Sequence, residues 1–443
     1  MTKVVAQGPD GIFHNISLTA VGNLAFPVAA FVTAPVLAWQ LGANGRGELA
    51  AAIAPLMLLV SVAALGMPES LSYHTAARLM PYKKSLPTAL VLLWITGSAG
   101  IALTWVAAPV LSAGNHHVAV LTIIAAGALP LSLSVAALRG VAIGLHKWKR
   151  VNAEKYITAS VRLVAIVACA LSGNLSLVVA VAVMAYSPVI GGLAYLGLKN
   201  DSACNTYHKD GKRPVARLLN YSLSVWVGAM SGVLLMRIDQ ILLLPMAGAV
   251  QLGMYAVSVN VAELLLVVNN AVRDVMFSAD AANRNDDRIH RAGRLSLIVT
   301  TVVALPTALT SPLWFPMLFG EEFSEALPIV IVLIIAIVVG VPGSVAGSAL
   351  SARGRPGLRS RSLIVASIIN VAVLVLLVPV MGALGAAYAT LIGNLVSSNL
   401  NILWLSKHFQ VKALGFYRFS RVDFVFLGEK MLGTIKKVAH GRN

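Results

Sequence analysis

Apolar residues run along this chain in long blocks broken by short polar stretches. Each block reaches the roughly 20 residues that a helix needs to cross the hydrocarbon layer of a bilayer. The pattern predicts helices over 16–40, 47–73, 86–111, 118–145, 152–172 and 175–198. It predicts six more over 217–245, 250–278, 290–316, 326–350, 362–381 and 384–406. Several exceed a minimal span, which predicts tilt or extension beyond the membrane. The run from Ile16 to Leu41 is longer than the apolar part of a signal peptide and reads as the first span. The predicted fold class is all-α integral membrane, with about twelve transmembrane helices in two six-helix lobes. The first lobe covers 1–198 and the second 217–406, joined by a polar, basic linker at 199–216. A basic tail follows at 407–443.

Composition agrees: 58% of residues are apolar and 12% charged, against about 25% charged in a soluble domain. Cys169 falls in a helix and Cys204 in a loop, so the cysteines imply neither a disulfide nor a metal site.

The net charge of +17 could point to nucleic acid, but its distribution points to topology. Even-numbered connections carry the cations: Arg78, Lys83 and Lys84; Lys147, Lys149 and Arg150; Lys209, Lys212 and Arg213; Arg284, Arg288, Arg291 and Arg294; Arg353, Arg355, Arg359 and Arg361. The alternate connections carry almost none. Arg46 is the exception, and Glu321, Glu322 and Glu325 make one of them acidic. This positive-inside pattern predicts a bacterial inner (cytoplasmic) membrane protein with both termini cytoplasmic, and no nucleic-acid partner. Trp39, Trp105 and Trp314 fall towards the outer interface, Trp148 and Trp404 towards the inner, and Trp94 and Trp226 lie deeper as candidates for a cavity wall.

A faint repeat relates the halves. Gly42, Gly47 and Ala50 match Gly248, Gly253 and Ala256 at one offset, and Pro130, Ala137 and Leu138 match Pro342, Ala349 and Leu350 at another. Six helices per unit is even, so the repeat is parallel, about an axis along the membrane normal. Two such lobes around a cleft suit alternating access, and Pro27, Pro35, Pro55, Pro130, Pro188, Pro306 and Pro342 would weaken helices for it.

Charges near the bilayer centre cost about 3 kcal/mol or more, so they mark function. Arg139, Arg162, Arg237 and Arg273 fall inside predicted spans and are the candidate substrate-binding residues. Guanidinium grips phosphate bidentately and keeps its charge, which points to an anionic cargo such as a pyrophosphate-linked lipid. Snorkelling to the interface is the alternative for Arg139 and Arg273, and a buried pair with Glu263 the alternative for Arg162. No Gly-x-x-x-x-Gly-Lys-Ser/Thr loop occurs, which leaves an ion gradient or the membrane potential as the energy source. Asp239, Glu263, Asn370 and Thr390 are the candidate ion-coupling residues; Asp239, Asn370, Thr390 and Asn394 offer oxygen atoms to a hard cation.

The run Leu41-Gly-Ala-Asn-Gly-Arg46-Gly-Glu48-Leu resembles the polysaccharide flippases of the multidrug/oligosaccharidyl-lipid/polysaccharide exporter superfamily. So do Arg237-Ile-Asp239-Gln-Ile-Leu and Gly382-Ala-Leu-Gly-Ala-Ala-Tyr-Ala-Thr. The resemblance in helix pattern extends over 14–406. It implies a V-shaped pair of bundles that moves undecaprenyl-pyrophosphate-linked oligosaccharide to the outer leaflet, with cavity arginines at Arg139, Arg162, Arg237 and Arg273. The two additional helices of lipid II flippases are missing here, which argues against murein precursor as cargo. Some relatives bind sodium, which places Na+ or H+ coupling at Asp239, Asn370 and Thr390, with no other cofactor.

Phe424, Leu427, Met431, Ile435 and Val438 recur at helical spacing in the tail, as in an amphipathic helix on anionic membrane lipid. Other glycan-assembly proteins are expected partners. Two alternatives remain open: a multidrug/cation antiporter, which predicts an acidic cleft, and a membrane enzyme of glycan assembly. The short outer connections, with only His116 and His117 of note, argue against the enzyme.

Overall fold

A computed structural model describes residues 9–77, 79, 81–198, 214–282 and 284–418. Most of the linker, Cys204, Arg78, and the predicted tail helix lie outside the described residues. The helices are α1 (Pro9–Ala63), α2 (Met67–Ala76), α3 (Tyr82–Leu111), α4 (His116–Ala126), α5 (Leu129–Gly144), α6 (Trp148–Leu171) and α7 (Leu177–Gly191). They continue with α8 (Pro214–Ala282), α9 (Asp286–Phe319), α10 (Leu327–Ala352), α11 (Pro356–Met381) and α12 (Ala383–Phe409).

Helices α1 and α8 are each two helices joined at a single residue. Gly42 (φ 64°, ψ −178°) divides α1, and Gly248 (φ 86°, ψ 174°) divides α8. That backbone region is open essentially to glycine alone, because any Cβ would clash there. The two breaks stand at matched positions of the repeat and have nearly the same geometry. Other predicted helices are interrupted. The second breaks before Gly66 and restarts as α2, and the fourth divides into α4 and α5; Pro68 and Pro130 sit in the first turn after each break, where a missing N–H costs nothing. Pro130 therefore starts a helix and does not weaken the middle of one.

Among the described residues, eight helical stretches are long and apolar enough to cross a membrane, and the stretches divided by Gly42 and Gly248 are two of them. The more polar α6 and α12 do not meet that test. Large apolar side chains stand exposed on α3 (Val91, Leu103, Val110), α9 (Leu309, Leu313, Met317) and α11 (Leu376, Val380). Belts of this kind face lipid, since water would not tolerate them.

Two main cores hold the lobes. One gathers Leu37, Leu49, Ile53, Leu71, Leu93, Leu133, Ile166 and Val181. The other gathers Leu243, Leu252, Tyr255, Phe315, Phe319, Leu333, Leu374 and Ala386, and takes in Ala34, Ala38, Ala43 and Ala51 of α1. A smaller cluster of Ile289, Leu350, Leu358, Leu405 and Phe416 closes the end that carries the cationic connections, hereafter the basic end. Small residues bring backbones together: a Cβ on Gly343 would lie 2.0 Å from Ser398 Cα, and one on Gly140 2.2 Å from the Pro68 carbonyl oxygen.

The lobes meet tightly at the end opposite the basic one. A Cβ on Gly47 would lie 1.7 Å from the Ala249 carbonyl oxygen. Nearby, Trp39 Nε1 donates to the Leu318 carbonyl (2.9 Å), and the Ala43 amide at the break donates to Glu322 Oε1 (3.0 Å). Trp226 Nε1 donates to the Val62 carbonyl (2.9 Å), where the second half of α1 meets the first half of α8. Neither Trp226 nor Trp94, which donates to Ser134 Oγ (3.1 Å), lines the cavity described next.

Candidate functional site

A cavity of about 1060 Å³ lies along α8, α10, α11 and α12, with Glu69 of α2 on its rim. Its deep part is formed by Asp239, Tyr255, Leu333 and Thr390. From there it runs past Glu263, Asn269, Arg273 and Asn394 to Ser351, Pro356, Arg359 and Arg361 at the basic end. Neither Gly47 nor Ala249, which meet at the opposite end of the molecule, lines it.

The charged lining is balanced: Arg273, Arg359 and Arg361 face Glu69, Asp239 and Glu263. Of the four arginines predicted to bind substrate, Arg273 alone lines the cavity. Arg139 on α5 is held elsewhere. Its Nε lies 2.8 Å and its Nη2 2.5 Å from the carboxylate of buried Glu154, which also accepts from the Tyr195 hydroxyl (2.6 Å). This pairing, not snorkelling to the interface, accounts for Arg139. Arg237 is 3.2 Å from Glu263, joining the two halves of α8 across the Gly248 break. Arg162 is buried in α6 within electrostatic reach of Glu263 and Arg46.

Arg46 departs from its predicted place in an outer loop. A one-residue turn leaves no loop, so Arg46 is helical and 4% exposed, and its Nε has no hydrogen-bond partner. Arg46, Arg162, Arg237 and Glu263 thus form an electrostatic cluster contributed by both lobes.

The candidate ion-coupling residues divide. Asp239 is buried and accepts from the Tyr255 hydroxyl, the Gln240 amide (2.7 Å) and Thr390 Oγ1 (3.3 Å). Tyr255 also reaches Thr390 (3.0 Å). Asn370 is fully buried beside Gly393, and neither atom of its amide has a hydrogen-bond partner. Glu263 lies on the cavity wall, paired with Arg237. Among the described residues no group of three metal-ligating His, Cys, Asp or Glu side chains occurs.

Sequence reasoning missed Tyr255 and Glu154, whose roles arise from contacts between helices distant in sequence. It read Arg359 and Arg361 for topology alone, although both line the mouth.

At the basic end, buried Arg353 binds Asp280 (2.8 Å) and Asp286 (2.7 Å) and stacks over Phe409 (5.3 Å). Burial alone would lower its pKa. Hydrogen bonds to Asp280 and Asp286 outweigh that and raise it. The chain after α12 turns at Gln410 and seats Phe416 edge-on against His290 (5.1 Å), while Arg294 Nη1 holds the Gly415 carbonyl (2.8 Å).

Residues 12–277 match the model of a family described as polysaccharide biosynthesis protein. A search of curated proteins returned no significant match. Solved structures that share the fold include three transporters. An inward-facing multidrug resistance MATE family transporter of the MOP superfamily is 17% identical with a TM-score of 0.69, covering 88% of this chain and 98% of its own. Lipid II flippase MurJ in an inward closed conformation is 12% identical with a TM-score of 0.67, covering 94% and 96%. A eukaryotic MATE transporter is 12% identical with a TM-score of 0.65, covering 89% and 95%.

Proposed function

We propose that this chain, which belongs to the polysaccharide biosynthesis protein family, moves undecaprenyl-pyrophosphate-linked oligosaccharide from the inner to the outer leaflet of a bacterial cytoplasmic membrane. Family and fold are those of multi-pass membrane transporters and flippases, not of enzymes. The lipid II cargo named for MurJ supports a lipid-linked substrate here.

The observation that carries this reading is the cavity, which runs from buried Asp239 and Tyr255 to Arg359 and Arg361 at the basic end. With the basic end cytoplasmic, as positive-inside placement requires, the mouth faces the leaflet where cargo is made. Arg273, Arg359 and Arg361 receive the pyrophosphate there. The Arg237–Glu263 pair lies beyond the mouth, with Glu263 on the cavity wall. In the same reading all twelve spans expected from the sequence cross the membrane, and the lobes of 1–198 and 217–406 rock about the glycine contact. Asp239, with Tyr255 and Thr390, couples the movement to H+ or Na+. Anionic lipid at the basic end and other glycan-assembly proteins are the partners this reading expects.

The test uses the full chain in proteoliposomes with a fluorescent undecaprenyl-pyrophosphate oligosaccharide. Wild type should move it between leaflets, and Arg359→Ala/Arg361→Ala should be slower. No movement by wild type under either ion gradient would overturn the proposal.

A multidrug/cation antiporter is the second reading, favoured by Glu69, Asp239 and Glu263 on the cavity wall. Efflux of a cationic dye by the same vesicles, with no movement of the lipid, would select it.

A further inference from the structure

Helix α12 presents a polar stripe to the cavity. Thr390, Asn394, Ser397, Ser398 and Asn401 all line it, at the i, i+4, i+7, i+8 and i+11 spacing of one helix face. The stripe is about 16 Å long at 1.5 Å per residue. No Asp, Glu, Lys or Arg occurs between Gly385 and Ser406, so the stripe offers hydroxyl and amide groups without charge.

The two amides are tethered on one side only by the bonds the structure resolves. Asn394 Nδ2 donates to the Ala336 carbonyl (3.1 Å) and Asn401 Nδ2 to the Gly343 carbonyl (3.2 Å), both on α10. Asn401 is 3% exposed, yet its Oδ1 has no hydrogen-bond partner. A buried acceptor without a donor is costly to keep. On helix α8 the same cavity is lined by apolar Val233, Met236 and Leu266 and by the charged Asp239, Glu263 and Arg273, so the uncharged polar run on α12 is a distinct part of the wall. Neutral groups that donate and accept in turn, spread over a span of this length, match the hydroxyls of a short run of uncharged sugars. A phosphate would instead select the arginines at the mouth.

We propose that the α12 stripe is the sugar-reading wall of the cavity, with Asn394 and Asn401 as its specificity-determining residues for uncharged sugars next to the pyrophosphate. This inference rests on the lipid-linked transport reading and assigns it a binding surface separate from the phosphate mouth.

The experiment is a binding titration of the full chain in detergent with two probes. One is a polyprenyl pyrophosphate bearing a neutral trisaccharide; the other is the same lipid without sugar. Wild type should bind the glycosylated probe about tenfold more tightly or better, the value of a few neutral hydrogen bonds. Asn394→Leu/Asn401→Leu should bring that ratio close to one while retaining the sugar-free lipid. Arg361→Ala should weaken both probes alike. Thr390→Val/Ser397→Ala reads the same ratio if the leucine pair fails to fold. A ratio unchanged from wild type in a folded stripe variant overturns the sugar assignment alone. Wild type that binds neither probe overturns the lipid-linked reading together with it.

Discussion

Gly47 and Gly253 pack backbone to backbone: a Cβ on Gly253 would stand 3.0 Å from the Gly47 amide nitrogen and 2.0 Å from the Ala43 carbonyl oxygen. They are equivalent residues of the internal repeat, so the contact lies on the pseudo-symmetry axis where the lobes touch. Overpacking such a contact costs about 1–3 kcal/mol. Gly253→Ala should therefore shift the population away from the state closed at this end. A cysteine at Ala43, buried in this state, should react faster with maleimide in the Gly253→Ala background than beside native Gly253. Equal rates would count against the glycine contact as the closure.

Arg139 and Arg361 are expected to differ in kind. Arg139→Ala leaves the buried Glu154 carboxylate without its cation; because Arg139 itself is partly exposed, the loss is about 1–3 kcal/mol. It should lower the melting temperature in detergent, and Arg139→Ala/Glu154→Leu should recover part of the loss. Arg361→Ala should leave the melting temperature near wild type and slow transport. The opposite assignment of effects would show Arg139 to be the binding residue.

Asp239→Asn keeps the size of the side chain and removes its ionisable carboxyl group. Transport should lose its dependence on the driving gradient while lipid binding persists. Tyr255→Phe, which takes away one donor to Asp239, should shift that dependence by less. The measurement is the transport rate in vesicles with imposed pH and Na+ gradients, compared with none.

At the basic end, Arg353→Met should destabilise the protein by about 3–5 kcal/mol, because Asp280 would remain buried without its cation. Phe416→Ala, which empties the site beside His290 and Gly293, should cost a similar amount by the rule for large core side chains. Chemical denaturation of the solubilised protein reads both.

Much of the fold is legible in the chain because crossing a bilayer imposes a length and an apolar composition. The matched Gly42 and Gly248 mark the internal repeat in the sequence, but the one-residue breaks at them come only from the structure. The site is less legible. Arg46 reads as a loop residue because Gly-Ala-Asn-Gly resembles a turn, whereas a single glycine suffices to reverse the helix. Glu154 reads as an ordinary residue at the start of a helix, since nothing near it in sequence names Arg139 as its partner. Asp239 and Thr390 were identifiable as isolated polar residues in apolar surroundings, but Tyr255, which joins them, looks like any aromatic in a membrane helix. Arg359 and Arg361 carry two messages at once, orientation and lining, and sequence alone conveys only the first.

The hairpins at Gly42 and Gly248 also decide what the molecule presents at that end. A chain that reverses in one residue offers no strand for a protease to thread, no epitope for an antibody and no room for an inserted tag. Probes of that face should therefore be aimed at the short connections at 112–115, 172–176 and 320–326 instead.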